Sequence, residues 1–587
     1  MPTLATMAKR NLSRTISLAR QRLDAEQGAV IKDWGGRLPL ALVYPNSYYL
    51  GMSNLGLQTL YGLLNNRSDI VCERAFYDPP HKSERGDDPS LGPVTIESQR
   101  PLADFPVVAY TLTYEIDYYH VVRSLQAAQI EPLSINRDDG DPLIIAGGAA
   151  VITNPLPLAD CFDAFVIGEA EPILEELIDT LQEYAYSPRA DQLEALARIP
   201  GVFVPALGSG DGVERQWVRD ISTTEAMSLV LTDETEFNQM TLIEAARGCG
   251  RGCRFCIAGY VFRPPRYRPL ESLLNQVQEG LKRTDRVGLL GAAVADHPQL
   301  AELAVQADKL GGRVSVSSLR VDNLAPELLD VLSRGGTRTV TLAPEAGSER
   351  MRQRINKAVS EDQIIEAADK VGSAAMNRLK LYFMIGLPDE EDEDVEAMAN
   401  LGLAVKERLD AHGHGTELVM SVGPLVPKPA TAYQELVQSE AGLVKHRQQI
   451  LQHAFRKTGI RLRGDSPTWA RIDDICSRSD QRLAHAILEM EAPSAREWMR
   501  AAGEWNLDGP LPWGGGPSPW SAVETGITAR FFERELSKHL REKATIACPP
   551  PEIGCNMCGV CGGNEIPSYS PTIVPLETVT AEAVVGV

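Results

Sequence analysis

The sequence predicts an α/β protein made of two successive strand-and-helix arrays followed by a small, mostly helical, cysteine-rich C-terminal part. Three observations carry this. Short apolar runs alternate with helically spaced stretches from about residue 35 to Tyr184, and a second alternation of the same kind runs from Leu242 to about residue 440. Seven of the ten cysteines fall in two tight groups, one at the head of the second array and one near the C-terminus. A chain of 587 residues also exceeds what one hydrophobic core supports. The expected division is a helical extension over 1–34, a first α/β domain over 35–186, a linker with a hairpin over 187–240, a second α/β domain over 241–440, a helical cysteine-rich domain over 441–565 and a tail over 566–587.

Composition bounds the function. Hydrophobic residues at 43% and charged residues at 23% are ordinary globular values. No run approaches the ~20 apolar residues that span a bilayer, and Met1 to Gln27 lacks the apolar core and cleavage site of an export signal, so a cytoplasmic protein is expected. Clustered cysteines in such a chain read as metal ligands in a reducing compartment. The net charge of -21 repels polyanions, so a nucleic-acid substrate, although not excluded, requires a locally basic face. The run Asp389 to Asp394 is expected to be the solvated start of a helix, where carboxylates suit the dipole.

In the first array, Leu40 to Pro45, Ile70 to Phe76, Val107 to Leu112, Leu143 to Ala146 and Ala164 to Ile167 have the length and content of buried strands. Leu55 to Leu64, Tyr118 to Ala128 and Pro172 to Tyr184 have helical spacing. Strands separated by helices argue for a doubly wound parallel sheet, which binds ligands at the carboxyl ends of its strands. Gly51, Gly147, Gly148 and Gly168 follow strands there, a weak signal by itself.

In the second array the strand Leu242 to Ala246 leads through Arg247-Gly248 into Cys249, Cys253 and Cys256. A zinc site or an electron-transfer cluster needs a fourth protein ligand, and the next cysteine is Cys476. Three thiolates leave one iron of a four-iron cluster open for chemistry. Strands expected at 287–291, 314–318, 337–342, 379–385 and 418–422 bring the count to six, with helices between them. Near the C-terminus Cys548 is followed by Cys555, Cys558 and Cys561, a spacing open to an auxiliary iron-sulfur cluster or a structural zinc.

The C-x-x-x-C-x-x-C loop resembles the signature of the radical S-adenosylmethionine (radical SAM) enzymes. The whole arrangement, with Ala343-Pro344-Glu345-Ala346-Gly347, Val426-Pro427-Lys428-Pro429 and Cys558-Gly559-Val560-Cys561, resembles a family of uncharacterised radical SAM proteins with a cobalamin-binding-type N-terminal domain and a cysteine-rich C-terminus. The resemblance covers about residues 35 to 565. It implies a Rossmann-like cobalamin-binding-type domain, then a partial (β/α)6 TIM-like barrel, then the C-terminal domain. It implies a 4Fe-4S cluster on Cys249, Cys253 and Cys256 whose open iron chelates S-adenosylmethionine, and an electron donor such as flavodoxin or ferredoxin. Around that cofactor it implies contacts from Phe255, Gly291-Ala292-Ala293, Ser317, Arg320, Glu345 and Gly386. The usual acidic member of the turn at Gly291 is missing here. In the first domain Asn46, Tyr48 and Gly51 stand where cobalamin proteins carry D-x-H-x-x-G, and Gly147-Gly148 where the nucleotide tail lies, so cobalamin is expected without a histidine below the metal. Three functions remain open: a cobalamin-dependent radical SAM enzyme such as a C-methyltransferase, a cobalamin-independent enzyme modifying tRNA or another macromolecule in the manner of methylthiotransferases, and a non-catalytic cobalamin or redox sensor. No residue identifies a substrate or a substrate-side catalytic group.

Overall fold

The computed structural model describes residues 4–78, 92–208, 212–317, 319–549 and 555–561; the expected tail over 566–587 and Ser318, the last residue of an expected strand, lie outside them. Two compact units emerge. The first comprises residues 1–218, 225–240 and 475–525, the second 219–224, 241–474 and 526–587. Among the described residues no helix is long and apolar enough to cross a membrane.

The first unit is built on strands β1 (Leu38–Tyr44), β2 (Ile70–Phe76), β3 (Val107–Thr111), β4 (Leu143–Gly147), β5 (Ala164–Val166) and β6 (Val202–Phe203). They form one sheet in the order β2-β1-β3-β4-β5-β6, parallel except for β6. β1 and β2 are buried almost throughout; β1 therefore reads as an apolar run without alternation, whereas β2 carries Glu73 and Arg74 inside the sheet. Leu40, Leu42, Tyr48, Leu57, Leu64, Ile70 and Leu177 join one core cluster, and Ile16 of helix Leu4–Ala25 packs against it. The apolar core also encloses a charge cluster: Arg74 is fully buried with Glu26 at 2.6 Å and Glu97 at 2.7 Å. Each charge there is paired, which burial in low dielectric requires.

The stretch 187–240 differs from the expected hairpin linker. β6 adds to the main sheet, and β7 (Val213–Glu214) pairs in parallel with Val523–Glu524, far along the chain. A parallel partner cannot come from a hairpin.

The second unit holds seven parallel strands in two sheets, flanked by helices. β8 (Thr241–Glu244), β11 (Arg286–Leu290) and β12 (Arg313–Val316) lie in the order β12-β11-β8; β13 (Thr339–Glu345), β14 (Arg378–Ile385), β15 (Glu417–Pro424) and β16 (Arg461–Gly464) follow in sequence. The short β9 (Ala246–Arg247) and β10 (Arg266–Tyr267) pair antiparallel. The six expected strands are all present. β16 is additional and falls in a stretch read as helical: it pairs with β15 from Val419↔Arg461 to Val422↔Gly464, yet its side chains are largely exposed. An edge strand held by backbone bonds and one exposed ion pair, Arg461 with Glu417 at 3.2 Å, leaves no apolar signature in the sequence.

The expected C-terminal domain over 441–565 does not stand alone. Residues 441–474 and 526–561 belong to the second unit and 475–525 to the first. In the first unit the Asn154 side-chain amide donates to the carbonyls of Ser477 and Ser479, 3.1 and 2.9 Å, and His485 meets Asp160 at 2.8 Å. The acidic run is also less solvated than expected. Glu390 and Asp394 are buried, and Glu390 accepts from Gly386 N–H (2.6 Å) and from Arg447 (2.7 Å).

Candidate active site

The cysteine loop leaves the sheet at β9 and returns at β10, so the register Arg247↔Arg266 and Ala246↔Tyr267 closes its base. Gly248 inside that base has φ +78°, and a Cβ there would stand 2.0 Å from the Phe262 carbonyl oxygen. Only glycine takes both the left-handed conformation and the close approach. Within the loop Cys256 N–H donates to the Cys253 carbonyl at 3.0 Å, and Arg254 N–H to that of Ile355 at 3.0 Å. The buried Arg254 guanidinium donates to the carbonyls of Gln353 (3.2 Å) and Lys543 (2.7 Å) and faces Glu535 at 3.3 Å. Arg254 therefore ties the loop to the turn after helix Glu349–Arg354 and to the C-terminal arm, which frees its neighbours for the open side.

The three thiols are electrostatic neighbours. Burial raises the pKa of Cys249, and Cys253 raises it further; burial, then Cys253 and Cys249, push Cys256 up to about 12. All three are free cysteines. Among the described residues no three His, Cys, Asp or Glu side chains are drawn into a metal-enclosing geometry. A protonated thiol has no reason to converge on others, whereas a metal displaces the proton and draws thiolates in by side-chain rotation. The donor set, three thiols on one loop, fits a cluster with one site left open.

A narrow cleft of about 10 Å³ opens at Cys253, lined among others by Arg251, Arg320, Lys357, Thr545 and Ala547. Arg251 grips Asp296 with two nitrogens (3.0 and 2.6 Å), and Arg320 grips Asp322 (2.8 and 2.9 Å). Lys357 meets Glu345 at 3.3 Å. Glu345, at the end of β13, has φ +73° and follows a register shift after Leu342; a non-glycine residue held there marks a constrained site. Burial raises its pKa, against the pull of Lys357. Asn356, also left-handed at φ +58°, donates to the carbonyls of Arg251 and Gly252, both 3.0 Å, and accepts from Thr545 N–H at 2.8 Å.

The other expected positions sit at strand ends. Gly291 follows β11, and a Cβ there would stand 2.7 Å from the Ala246 carbonyl oxygen; Ala292 and Ala293 continue that turn. Ser317 is exposed just after β12. Gly386 follows β14 at φ +75°, its carbonyl accepting from the Ser439 hydroxyl at 3.0 Å. Phe255 lies against a core cluster with Tyr260, Met351 and Leu387.

In the first unit the expected positions divide. Asn46 stands at the carboxyl end of β1, its amide donating to Asp117 at 2.6 Å and its oxygen accepting from Ser47 N–H at 2.8 Å. Tyr48 is fully buried, its hydroxyl donating to Glu26 at 2.7 Å and its ring edge-on to Phe76. A Cβ on Gly51 would lie 2.3 Å from the Phe76 ring, so this glycine serves helix-to-strand packing. Gly148, φ +117°, lets the chain after β4 pass the Leu112 carbonyl, 2.4 Å from where a Cβ would stand; Gly147 meets only Val166, at 3.6 Å.

The sequence family described as the radical SAM superfamily matches residues 243–402, and that described as the N-terminal part of radical SAM proteins matches 56–205; together they span more than half of the chain. The chain belongs to the radical SAM superfamily. It is accordingly a radical SAM enzyme, working with S-adenosylmethionine and a 4Fe-4S cluster. An uncharacterised protein of Methanocaldococcus jannaschii is 29% identical over 463 residues, 78% of this chain and 92% of its own length. The tRNA-2-methylthio-N(6)-dimethylallyladenosine synthase of Thermotoga petrophila is 26% identical over 177 residues, 28% of this chain and 40% of that protein. Among solved structures, the radical SAM methyltransferase TsrM of Kitasatospora setae, with cobalamin and a 4Fe-4S cluster bound, aligns at TM-score 0.43 and 15% identity over 66% of this chain and 75% of its own.

In this radical SAM chain, sequence reasoning found the cysteines and the strand ends but missed Arg251, Asp296, Asp322, Asn356 and Lys357. Arg251, inside the loop between Cys249 and Cys253, was the one position whose place in the motif marked it. Asn356 and Lys357 lie beyond a helix that follows β13, and nothing local distinguishes them.

Proposed function

We propose that the chain cleaves S-adenosylmethionine reductively at a 4Fe-4S cluster held by Cys249, Cys253 and Cys256, with an electron from a flavodoxin- or ferredoxin-type donor, and acts as a cobalamin-dependent C-methyltransferase. The observation that carries this reading is the cleft at Cys253, which sets cationic side chains beside the free thiols at the carboxyl ends of parallel strands. Barrel-type chemistry sits at such ends. When bound, the cluster supplies the electron that splits the sulfonium into methionine and a 5'-deoxyadenosyl radical, and cobalamin supplies a carried methyl group. The chain's own residues bind and orient. Arg251 and Arg320 have their forks committed to Asp296 and Asp322, so they hold the cleft's shape and potential. Lys357 has three N–H donors and, among the described residues, bonds Glu345; it is the cation placed to take the methionine carboxylate. Glu345 would accept from the ribose hydroxyls.

The cobalamin part is supported by the strand order β2-β1-β3-β4-β5, whose switch point lies between β1 and β3, where Asn46 and Asp117 meet. Replacing Cys249, Cys253 and Cys256 by Ala should abolish reductive formation of 5'-deoxyadenosine; formation at the wild-type rate would overturn the assignment. A chain that makes 5'-deoxyadenosine yet takes up no cobalamin would favour the methylthiotransferase-like alternative.

A further inference from the structure

Cys548, Cys555, Cys558 and Cys561 form a second thiol set that neither matched family covers. Its members are mutual electrostatic neighbours, and Met557 N–H donates to Cys555 Sγ at 3.4 Å, the kind of backbone bond that favours a thiolate in a tight cysteine turn. They have not converged into a metal-enclosing geometry among the described residues, but neither have the three loop cysteines, so that criterion does not separate the sets.

This set lies against the first. Cys548 N–H donates to the Gly250 carbonyl at 2.6 Å, inside the radical SAM loop and one residue from Cys249. Three residues earlier, Thr545 N–H donates to Asn356 Oδ1, and Asn356 holds the carbonyls of Arg251 and Gly252. Thr545 and Ala547 form a wall of the cleft at Cys253. The arm over 544–549 has no helix or strand of its own, so its position depends on its anchors. On the far side, the Cys558 carbonyl accepts from Thr528 N–H at 2.9 Å and that of Met557 from Arg534 at 3.3 Å, both about the N-terminal half of helix Ala529–Leu540. A bond from Cys548 to that turn would fasten the arm to the helix. Arg263 stands between the two sets, with Cys548 and Cys558 as its sulfur neighbours and its Nη2 2.6 Å from where a Cβ on Gly252 would stand.

We propose that Cys548, Cys555, Cys558 and Cys561 bind a second thiolate-held metal centre, zinc or iron-sulfur, whose role is to fix the arm over 544–549 as the wall of the cleft that receives S-adenosylmethionine. This rests on the reading of that cleft given above. Four thiolates select soft or borderline metals, and ligation converts a segment with few backbone anchors into a fixed one, so occupancy of one site is coupled to affinity at the other.

The test uses full-length protein purified anaerobically as wild type, as Cys555→Ser/Cys558→Ser and as Gly250→Ala. Iron, sulfide and zinc are measured, and the affinity for S-adenosylmethionine is read by equilibrium dialysis of the labelled compound. The cysteine double variant should lose either zinc or one complement of iron and sulfide, keep the loop cluster, and bind S-adenosylmethionine roughly tenfold more weakly. Gly250→Ala touches no thiol, but its Cβ would meet the Cys548 carbonyl oxygen at 2.6 Å; it should keep both metals and still lose affinity. Unchanged metal content in the double variant overturns the second site, and S-adenosylmethionine affinity within about twofold of wild type in both variants overturns its role. A wild type that binds no S-adenosylmethionine overturns the reading of the cleft, and this proposal with it.

Discussion

Asn356 joins two backbone segments through one side-chain amide, bonding two carbonyls of the cysteine loop and one N–H of the C-terminal arm. Its left-handed backbone aims the side chain back at the loop, and asparagine is among the few non-glycine residues that adopt that conformation readily. Asn356→Ala leaves those buried groups unsatisfied and should cost about 2–4 kcal/mol, read as a lower midpoint in urea denaturation together with weaker S-adenosylmethionine binding. Lys357→Met, by contrast, removes the charge that pairs with Glu345. It should weaken S-adenosylmethionine binding, measured by dialysis, while the iron content stays at the wild-type value; loss of iron would mean that Lys357 supports the cluster loop instead. Glu390 offers a pH test. Burial pushes its pKa up to about 7 despite Arg447, so the folded chain holds a proton that the unfolded chain releases near the ordinary carboxyl range. The stability this group contributes is fully present below about pH 4.5 and is lost as pH rises towards 7. The Tm of wild type relative to Glu390→Gln should therefore fall from pH 5 to pH 7 and level off above it.

At the scale of the element, the cysteine loop depends on its base more than on its tip. The β9/β10 ladder has only two residue pairs, and Gly248 allows the crossing at Phe262. Gly248→Ala forces a Cβ against a carbonyl oxygen in a backbone conformation that alanine rarely takes. It should reduce cluster incorporation severely, measured as iron and sulfide per chain, with far-UV circular dichroism unchanged. β16 is the opposite kind of element. Apart from the exposed Arg461–Glu417 ion pair, its pairing to β15 is backbone to backbone, and Arg463 is exposed, so substitution of Arg463 should shift stability by no more than about 0.5 kcal/mol.

At the scale of the whole molecule, the first unit sets the coordination prediction. Tyr48 is expected at the place of the cobalt-ligating histidine of D-x-H-x-x-G proteins; its hydroxyl is bonded to Glu26 inside the core, beneath the Arg22 guanidinium at 4.5 Å from its ring. Burial raises its pKa well above the ordinary phenol value, so it stays neutral and cannot serve as a metal ligand. The Co(II) form of the cobalamin-loaded protein should show no nitrogen superhyperfine splitting from a lower ligand in electron paramagnetic resonance. Its appearance would place a nitrogen base under the metal, from the cofactor's own nucleotide tail or from a histidine, and overturn the expectation of a cobalt without a lower nitrogen.

The sequence by itself determined the α/β class, the six main strands of the second unit and the two cysteine clusters, because buried parallel strands read as apolar runs and cysteine spacing is read directly from the chain. It could not reveal β16, whose pairing involves no apolar side chain, nor the parallel partner of β7, which lies some three hundred residues away. It also gave Glu390 to solvent, since charge composition reports no burial. Only the tertiary structure brought Asn356, Lys357 and Thr545 to the cysteine loop and turned Tyr48 into the core. Those positions depend on how the chain after β13 and the C-terminal arm return to the loop, and on the Glu26 and Arg74 charges buried beside Tyr48. Contacts between residues so distant along the chain are set by packing and by the pairing of buried polar groups, and no local pattern of residue types encodes them.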